Sequence, residues 1–331
     1  MQDAVTVQQD ANRTEVKRGS STAAALPFVQ AAGIGVDIGS TWAKAVAVDG
    51  AGTLIDSVCL PTGWSSKEAL KAIQQALAEQ GILVDEAPLV ATGYGREAVA
   101  NAAKRVTEIT CHARGAVREE NAVRRSLKRF YSTMRHEPTP MTGHDMFKVL
   151  YGTTFKLDRS VIPAEIDALT DTIEKEYAAG KRQDKKPRIL ITGCPMGGAT
   201  EKVIRAIEEN GGVVVAYENC TGTKNVERLV DEEVEDIYQA LAERYLAIGC
   251  SVMTPNPNRY ESLDSLIDEY HVDGVVEMVL QACHTYSVES KSIRDFVTKK
   301  KNIPYIYIET DYSTTDVGQL STRLAAFVEM L

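Results

Sequence analysis

The sequence lacks several features that would each have settled a class. No C-x-x-C occurs among its six cysteines, so the usual zinc-ribbon and thioredoxin patterns are excluded. No apolar run approaches the roughly 20 residues that a membrane span needs. No basic tract interleaved with aromatics is present, and the net charge is −9, so general nucleic-acid binding is not expected. No G-x-x-x-x-G-K-[ST] loop is found, and the glycines at 33–39 precede a strand instead of following it, unlike the dinucleotide fingerprint. Residues 1–32 have no apolar h-region, and Asp3, Asp10 and Glu15 speak against an acid-poor transit peptide. That stretch reads as a disordered leader on a cytoplasmic protein.

What is present is a chain of 331 residues, 44% hydrophobic and 25% charged, enough for about two domains with real cores. GIGVDIGSTWAKAVAVDG, residues 33–50, consists of two apolar runs around the turn Gly39-Ser40-Thr41. It reads as a β-hairpin whose turn exposes backbone N–H groups and two hydroxyls, a cradle for phosphate oxygens. Asp37 beside it is placed to hold Mg²⁺ through water, and Lys44 to add a point charge. An ordinary buried hairpin with a glycine turn explains the same residues.

SSKEALKAIQQALAEQG follows as a helix, with Ser65 and Glu68 as a capping box, Leu70, Ile73 and Leu77 as its apolar stripe, and Gly81 at its end. Leu89–Ala91 reads as a short strand. From 117 to 187 two amphipathic helices dominate, VREENAVRRSLKRFY and PAEIDALTDTIEKEY, the latter with Pro163 at its start. From 188 onward the pattern is regular: strands RILITGC, VVVAYENC, YLAIGC, VVEMVLQAC and IPYIYIETD alternate with amphipathic helices. That alternation specifies an α/β fold with a doubly wound parallel sheet.

Cys194, Cys220, Cys250 and Cys283 each end a predicted strand, 26, 30 and 33 residues apart, one βα repeat each. The carboxyl edge of an open parallel sheet is where ligands bind, and thiolates there suit iron–sulfur or other metal sites. Cysteine is also a small residue commonly tolerated at buried strand ends, and both readings stand. TGCPMGGATEKV adds a glycine turn into a helix N-terminus, suited to an anion or simply a tight βα turn.

These residues carry a resemblance. From about Arg124 to Leu331, the segments HDMFKVLYGTTFKLD, RILITGCPMGGATEKVIRAIEENGG, YENCTG, YLAIGCS, LQACHTYSVES and IETDYSTTDVGQLSTRLAAFVEML resemble the carboxyl-terminal half of 2-hydroxyacyl-CoA dehydratase subunits, the double-cubane and dehydratase-like group included. Residues 33–116 resemble the first half of the ATP-dependent activator of those dehydratases, of the sugar-kinase, chaperone and actin superfamily. GVDIGSTWAKAVAVD matches its first phosphate motif, and ATGYGREAV and EITCHARGA are typical of it.

The resemblance implies a division into the leader 1–32, half an actin-like ATPase domain at 33–116, a helical connection at 117–187 and a dehydratase-type domain at 188–331. In the intact system it implies an activator that couples ATP hydrolysis to one-electron transfer into a dehydratase cluster. That cluster passes the electron to the thioester carbonyl of a 2-hydroxyacyl-CoA, and hydroxide leaves from the ketyl. Carried onto this chain, Asp37, Gly39, Ser40, Thr41 and Lys44 are the ATP phosphate and Mg²⁺ contacts. Cys283, in LQACHTY, is the iron–sulfur ligand, with Cys194, Cys220 and Cys250 as weaker candidates; Gly197 and Gly198 line the same edge. His284 is either a hydrogen-bond donor near the cluster or a satisfied surface histidine. The activator's second phosphate loop and cluster cysteines do not appear, nor does the dehydratase's amino-terminal half.

Three functions compete. The first is a dehydratase-like iron–sulfur component, a lyase that works as a homodimer or with a dehydratase or activator subunit on an acyl-CoA. The second is a non-catalytic fusion remnant or partner-binding protein, and the third an ATP-dependent activator.

Overall fold

The computed structural model describes residues 29–193, 197–220 and 222–331. The chain divides into two compact units at Cys111/His112. The leader expected over 1–32 lies, through residue 28, outside the described residues. Its last four residues are ordered: Val29 bridges Ile82, and Ala31 is buried in the first unit's core.

In the first unit, β1 (Gly33–Ile38) and β2 (Trp42–Val48) form the expected antiparallel hairpin. A third strand, β3 (Leu54–Pro61), pairs with β2. Its apolar spacing is broken by Asp56 and Ser57, and the sequence pattern did not reveal it. Helix α1 (Ser66–Glu79) begins where Ser65 Oγ accepts from the Glu68 N–H at 3.4 Å, and buries Ala69, Leu70, Ile73 and Leu77. Strands β4 (Leu89–Thr92) and β5 (Lys104–Arg105) complete a sheet of order β3-β2-β1-β4-β5. One face of it, Ile34, Val36, Ile38, Ala43, Ala45 and Ala47, is buried in a single apolar cluster with α1. The other face carries Trp42, Val46 and Val90, all exposed.

The second unit takes up most of α2 (Glu108–Ser132), then α3 (Gly143–Thr153) and α4 (Ile162–Ala178), whose Pro163 lies in the first turn. β6 (Arg188–Gly193), α5 (Gly198–Glu209), β7 (Val213–Glu218), α6 (Thr223–Val226), α7 (Ile237–Leu246) and α8 (Pro257–Glu269) follow. β8 (Gly274–Leu280), α9 (His284–Asp295), β9 (Tyr305–Thr310) and α10 (Val317–Val328) close the chain. The four strands are all parallel, in the order β7-β6-β8-β9. Every residue of β6 and β7 is buried, so both faces of the sheet are covered, as parallel sheets require. Val123, Leu127, Phe130, Met146 and Ile162, from the helices before β6, lie in the same core cluster as the sheet residues.

One expected strand is absent. YLAIGC is the last turn of α7 followed by a turn, and Tyr245 and Leu246 are exposed. An apolar hexamer of this length fits a buried strand or a helix end equally well by periodicity. Cys250 therefore ends no strand. No helix among the described residues is long and apolar enough to cross a membrane.

Candidate functional site

In the first unit, the turn after β1 is closed by the Gly39 N–H donating to the Trp42 carbonyl at 3.1 Å, with Thr62 Oγ1 donating to the Gly39 carbonyl at 2.8 Å. Ser40 and Thr41 are exposed at its tip. Asp37 and Lys44 are directly paired across the hairpin, Nζ to Oδ2 3.7 Å, and the ammonium is 57% exposed. Gly93, at φ +86°, packs so tightly beneath that a Cβ there would lie 2.4 Å from Asp37 Oδ1. Thr92, the parallel partner of Asp37, has its buried hydroxyl without a hydrogen-bond partner. The hairpin thus brings together Asp37, Lys44 and the turn hydroxyls on one wall.

In the second unit, the strand order places β6 between β7 and β8, so the connections leave β6 and β8 in opposite directions. In open α/β sheets ligands lodge at this switch, outside the carboxyl ends of the strands. Two segments leave the sheet there. After β6 comes the glycine turn, where Gly193 (φ +110°) lies so close to β8 that a Cβ would sit 2.2 Å from the Met278 carbonyl oxygen. Gly197 is the residue before α5 and takes φ +102°, with Gly198 opening the helix. After β8 comes Gln281-Ala282-Cys283, with Ala282 in the left-handed region at φ +65°. Cys283 occupies the cap position of α9, half-buried against Val279, Tyr286 and Tyr307, and its Sγ lies 3.8 Å from Thr285 Oγ1. His284 is exposed as the first residue of that helix.

The other cysteines scatter. Cys194 lies outside the described residues. Cys220 follows the end of β7 by two residues; although its surface is exposed, desolvation raises its thiol pKa, partly offset by Lys224. Cys250 is near enough to add to that rise, so these two share a neighbourhood. Among the described residues no three His, Cys, Asp or Glu side chains converge to hold a metal ion. A cubane takes four ligands; the described residues alone do not fit one.

Beneath the carboxyl edge lies a cluster that pattern reading missed. Arg259 of α8, fully buried, donates from Nη2 to Glu277 Oε1 (3.0 Å) and Thr192 Oγ1 (3.1 Å). Its Nη1 donates to Glu289 Oε2 at 2.6 Å, and Nε lies 3.4 Å from Glu218 Oε2. Lys224 Nζ lies 2.9 Å from Glu218 Oε1 and donates to the Tyr286 hydroxyl at 2.7 Å. Thr192 and Tyr305 complete the web through their hydroxyls to Glu218 and Glu277. Burial pushes the Tyr286 hydroxyl up to about 12 against the pull of Lys224. Desolvation alone would lower Lys224 and Arg259, but the carboxylates outweigh it and hold both cations charged. The signal was in the sequence: a glutamate inside each of the apolar runs VVVAYE and VVEMVL.

Two family models match overlapping parts of the chain. The model described as "2-hydroxyglutaryl-CoA dehydratase, D-component" matches residues 92–331, and that of the BadF/BadG/BcrA/BcrD ATPase family matches residues 34–124. The chain is 56% identical over 218 residues to "Putative dehydratase subunit YjiM" of Escherichia coli (strain K12), covering 66% of this chain and 57% of that protein. It is 24% identical over 205 residues to the lactoyl-CoA dehydratase subunit alpha of Anaerotignum propionicum, covering 60% of this chain and 47% of that one. To the activator of lactoyl-CoA dehydratase of the same organism it is 32% identical over 83 residues, 25% of this chain and 32% of the activator. The chain thus spans about half the length of the curated dehydratase subunits it matches.

Proposed function

Because the chain belongs to the 2-hydroxyglutaryl-CoA dehydratase D-component family, we propose that it is one component of an iron–sulfur dehydratase acting on an acyl-CoA, with Cys283 as its iron ligand. The observation that carries this reading is the position of Cys283, half-buried at the switch point, opposite the glycine turn after β6. The buried web below fixes the strand ends from which both segments spring. When bound, a cluster would supply one-electron chemistry at low potential. The chain's own residues hold the edge rigid, and the apolar neighbours of Cys283 keep water from one side of its thiol.

The described residues do not complete a cluster site, so the remaining ligands come from a second copy or a partner subunit in this reading. The ATPase-family segment adds a phosphate and Mg²⁺ wall made of Asp37, Gly39, Ser40, Thr41 and Lys44, with Thr92 as a spare hydroxyl beside it. The absence of a three-ligand group among the described residues favours, as the second reading, a partner-binding protein without its own reaction.

The deciding experiment is iron per chain after anaerobic reconstitution of the wild type and Cys283→Ala. Iron retained through desalting by the wild type and lost by the variant is the expected result. Iron in neither, or equally in both, sinks the ligand assignment and leaves the partner-binding reading.

A further inference from the structure

A second site lies away from the switch point and does not depend on the reading above. A cleft of about 380 Å³ opens between α2, the segment after β7, α6 and the end of α7. Its walls hold Arg124, Arg244, Lys224, Glu120 and Tyr245. The three cations are 9%, 7% and 6% exposed, so each is largely withdrawn from water.

Their charges are balanced very differently. Lys224 is neutralised by Glu218. Glu120, the acid of the wall, is held by Arg159, whose Nη2 donates to it at 3.0 Å. Among the described residues, neither Arg124 nor Arg244 has a carboxylate within ion-pair distance. There Arg244 donates to the carbonyls of Asn225 (2.9 Å) and Arg228 (3.4 Å). Arg124 donates from Nη1 to Asn121 Oδ1 at 3.0 Å, and its buried Nε has no partner among the described residues. Burial lowers the pKa of both and the charge of Arg244 lowers that of Arg124 further, while Glu120 offsets part of the fall in each.

Arg244 also lies over the Tyr245 ring, 5.3 Å from its centroid, so a structural role accounts for part of this but not for the idle donor of Arg124. Arg188, which is structural, is 3% exposed and satisfies every nitrogen: Nε donates to the Tyr270 carbonyl, Nη1 to His136 and Nη2 to Met134. Arg124 leaves a donor idle in a place where an idle buried donor costs about 1–3 kcal/mol. Two like charges facing one cleft add to that cost. An anion seated between them removes the repulsion of the two like charges. Guanidinium forks match phosphate oxygens in geometry, and the cleft is many times the roughly 30 Å³ share of one water. It has room for more than a bare ion.

We propose that this cleft is a binding site for a phosphate group, its oxygens held between Arg124 and Arg244 with Lys224 behind them. The phosphate is either the free ion or the end of an organic ester.

The test is isothermal titration calorimetry of the full chain at constant ionic strength, with chloride as the balancing anion. Inorganic phosphate and glycerol 3-phosphate are the two probes. Saturable one-to-one binding is expected, and tighter binding of the second probe assigns an ester where equal affinities assign the ion. Arg124→Gln and Arg244→Gln, checked for folding by circular dichroism, should each weaken it about tenfold or more, the loss of a charge-assisted bond. Glu120→Gln, which leaves both arginines in place, should tighten it and stands in if the arginine variants do not fold. No saturable binding of either probe overturns the proposal. So does unchanged affinity in a folded arginine variant, weaker or unchanged binding in Glu120→Gln, or binding that is lost in Lys44→Ala instead.

Discussion

The two sheets of this protein solve the same problem differently. In the first unit β2 alternates, with Ala43, Ala45 and Ala47 buried and Trp42, Lys44 and Val46 turned the other way. Among the described residues, one face is buried against α1. In the second unit β6 and β7 are buried at every position, because a parallel sheet takes helices on both faces. A one-faced sheet can carry charge at no desolvation cost on its open side, which is where Asp37 and Lys44 sit. A two-faced sheet cannot, so the glutamates inside its apolar strands must be paired, and Arg259 pairs them. The candidate sites inherit this contrast: a solvated charge pair in one unit, a strand edge over a buried ionic web in the other.

The sharpest way to break that comparison is Arg259→Ala. Glu218 and Glu277 would then be left buried without their shared cation, and unfolding by urea should show a loss of about 3–5 kcal/mol. A loss under about 1 kcal/mol would mean that the web is wet and that the two-faced account is wrong. Next in size is the pair of faces in the first unit. Ile73→Ala, on the buried stripe of α1, should cost about 2–5 kcal/mol, whereas Val46→Thr on the open face should stay within about 0.5 kcal/mol. Thermal melts of the two variants compare them directly; equal losses would mean that the open face is covered in solution.

The smallest effect concerns a half-buried pair of the second unit. Lys202 donates to Asp316 Oδ1 at 2.6 Å and Thr310 to its other oxygen. Burial raises the Asp316 pKa, but these bonds outweigh it and hold it below 3.8. A folded-state pKa depressed in this way adds stability that is present above pH 3.8 and lost as pH falls through the lowered value. Asp316→Asn should therefore melt lower than the wild type at pH 6, by less than about 1 kcal/mol. The gap should close as the pH approaches 2. A gap independent of pH would place the contribution elsewhere.

Much of this was legible in the chain. The hairpin around Gly39-Ser40-Thr41, the Ser65 cap and the βα rhythm after 188 all follow from local rules, and the structure has them. β3 was hidden because Asp56 and Ser57 blur its alternation; only pairing with β2 makes it a strand. YLAIGC misled in the opposite sense. Its apolar residues cap a helix, and two of them face water. The four cysteines looked equivalent by spacing, yet Cys250 ends no strand and lies near Cys220.

By itself the sequence determined the two fold types, since hydrophobic period and turn chemistry are properties of neighbours along the chain. It also supplied candidate site residues, Asp37, Lys44 and Cys283 among them. Tertiary structure alone decided which of them meet. Strand order set β8, which leads to Cys283, next to β6, and burial joined Glu218, Glu277 and Arg259, 41 and 18 residues apart, into one web. Packing of α2 against α6 and α7 set Arg124 and Arg244 around one cleft. Such encounters depend on the cost of burying charge, and that cost does not exist until the chain has folded around it.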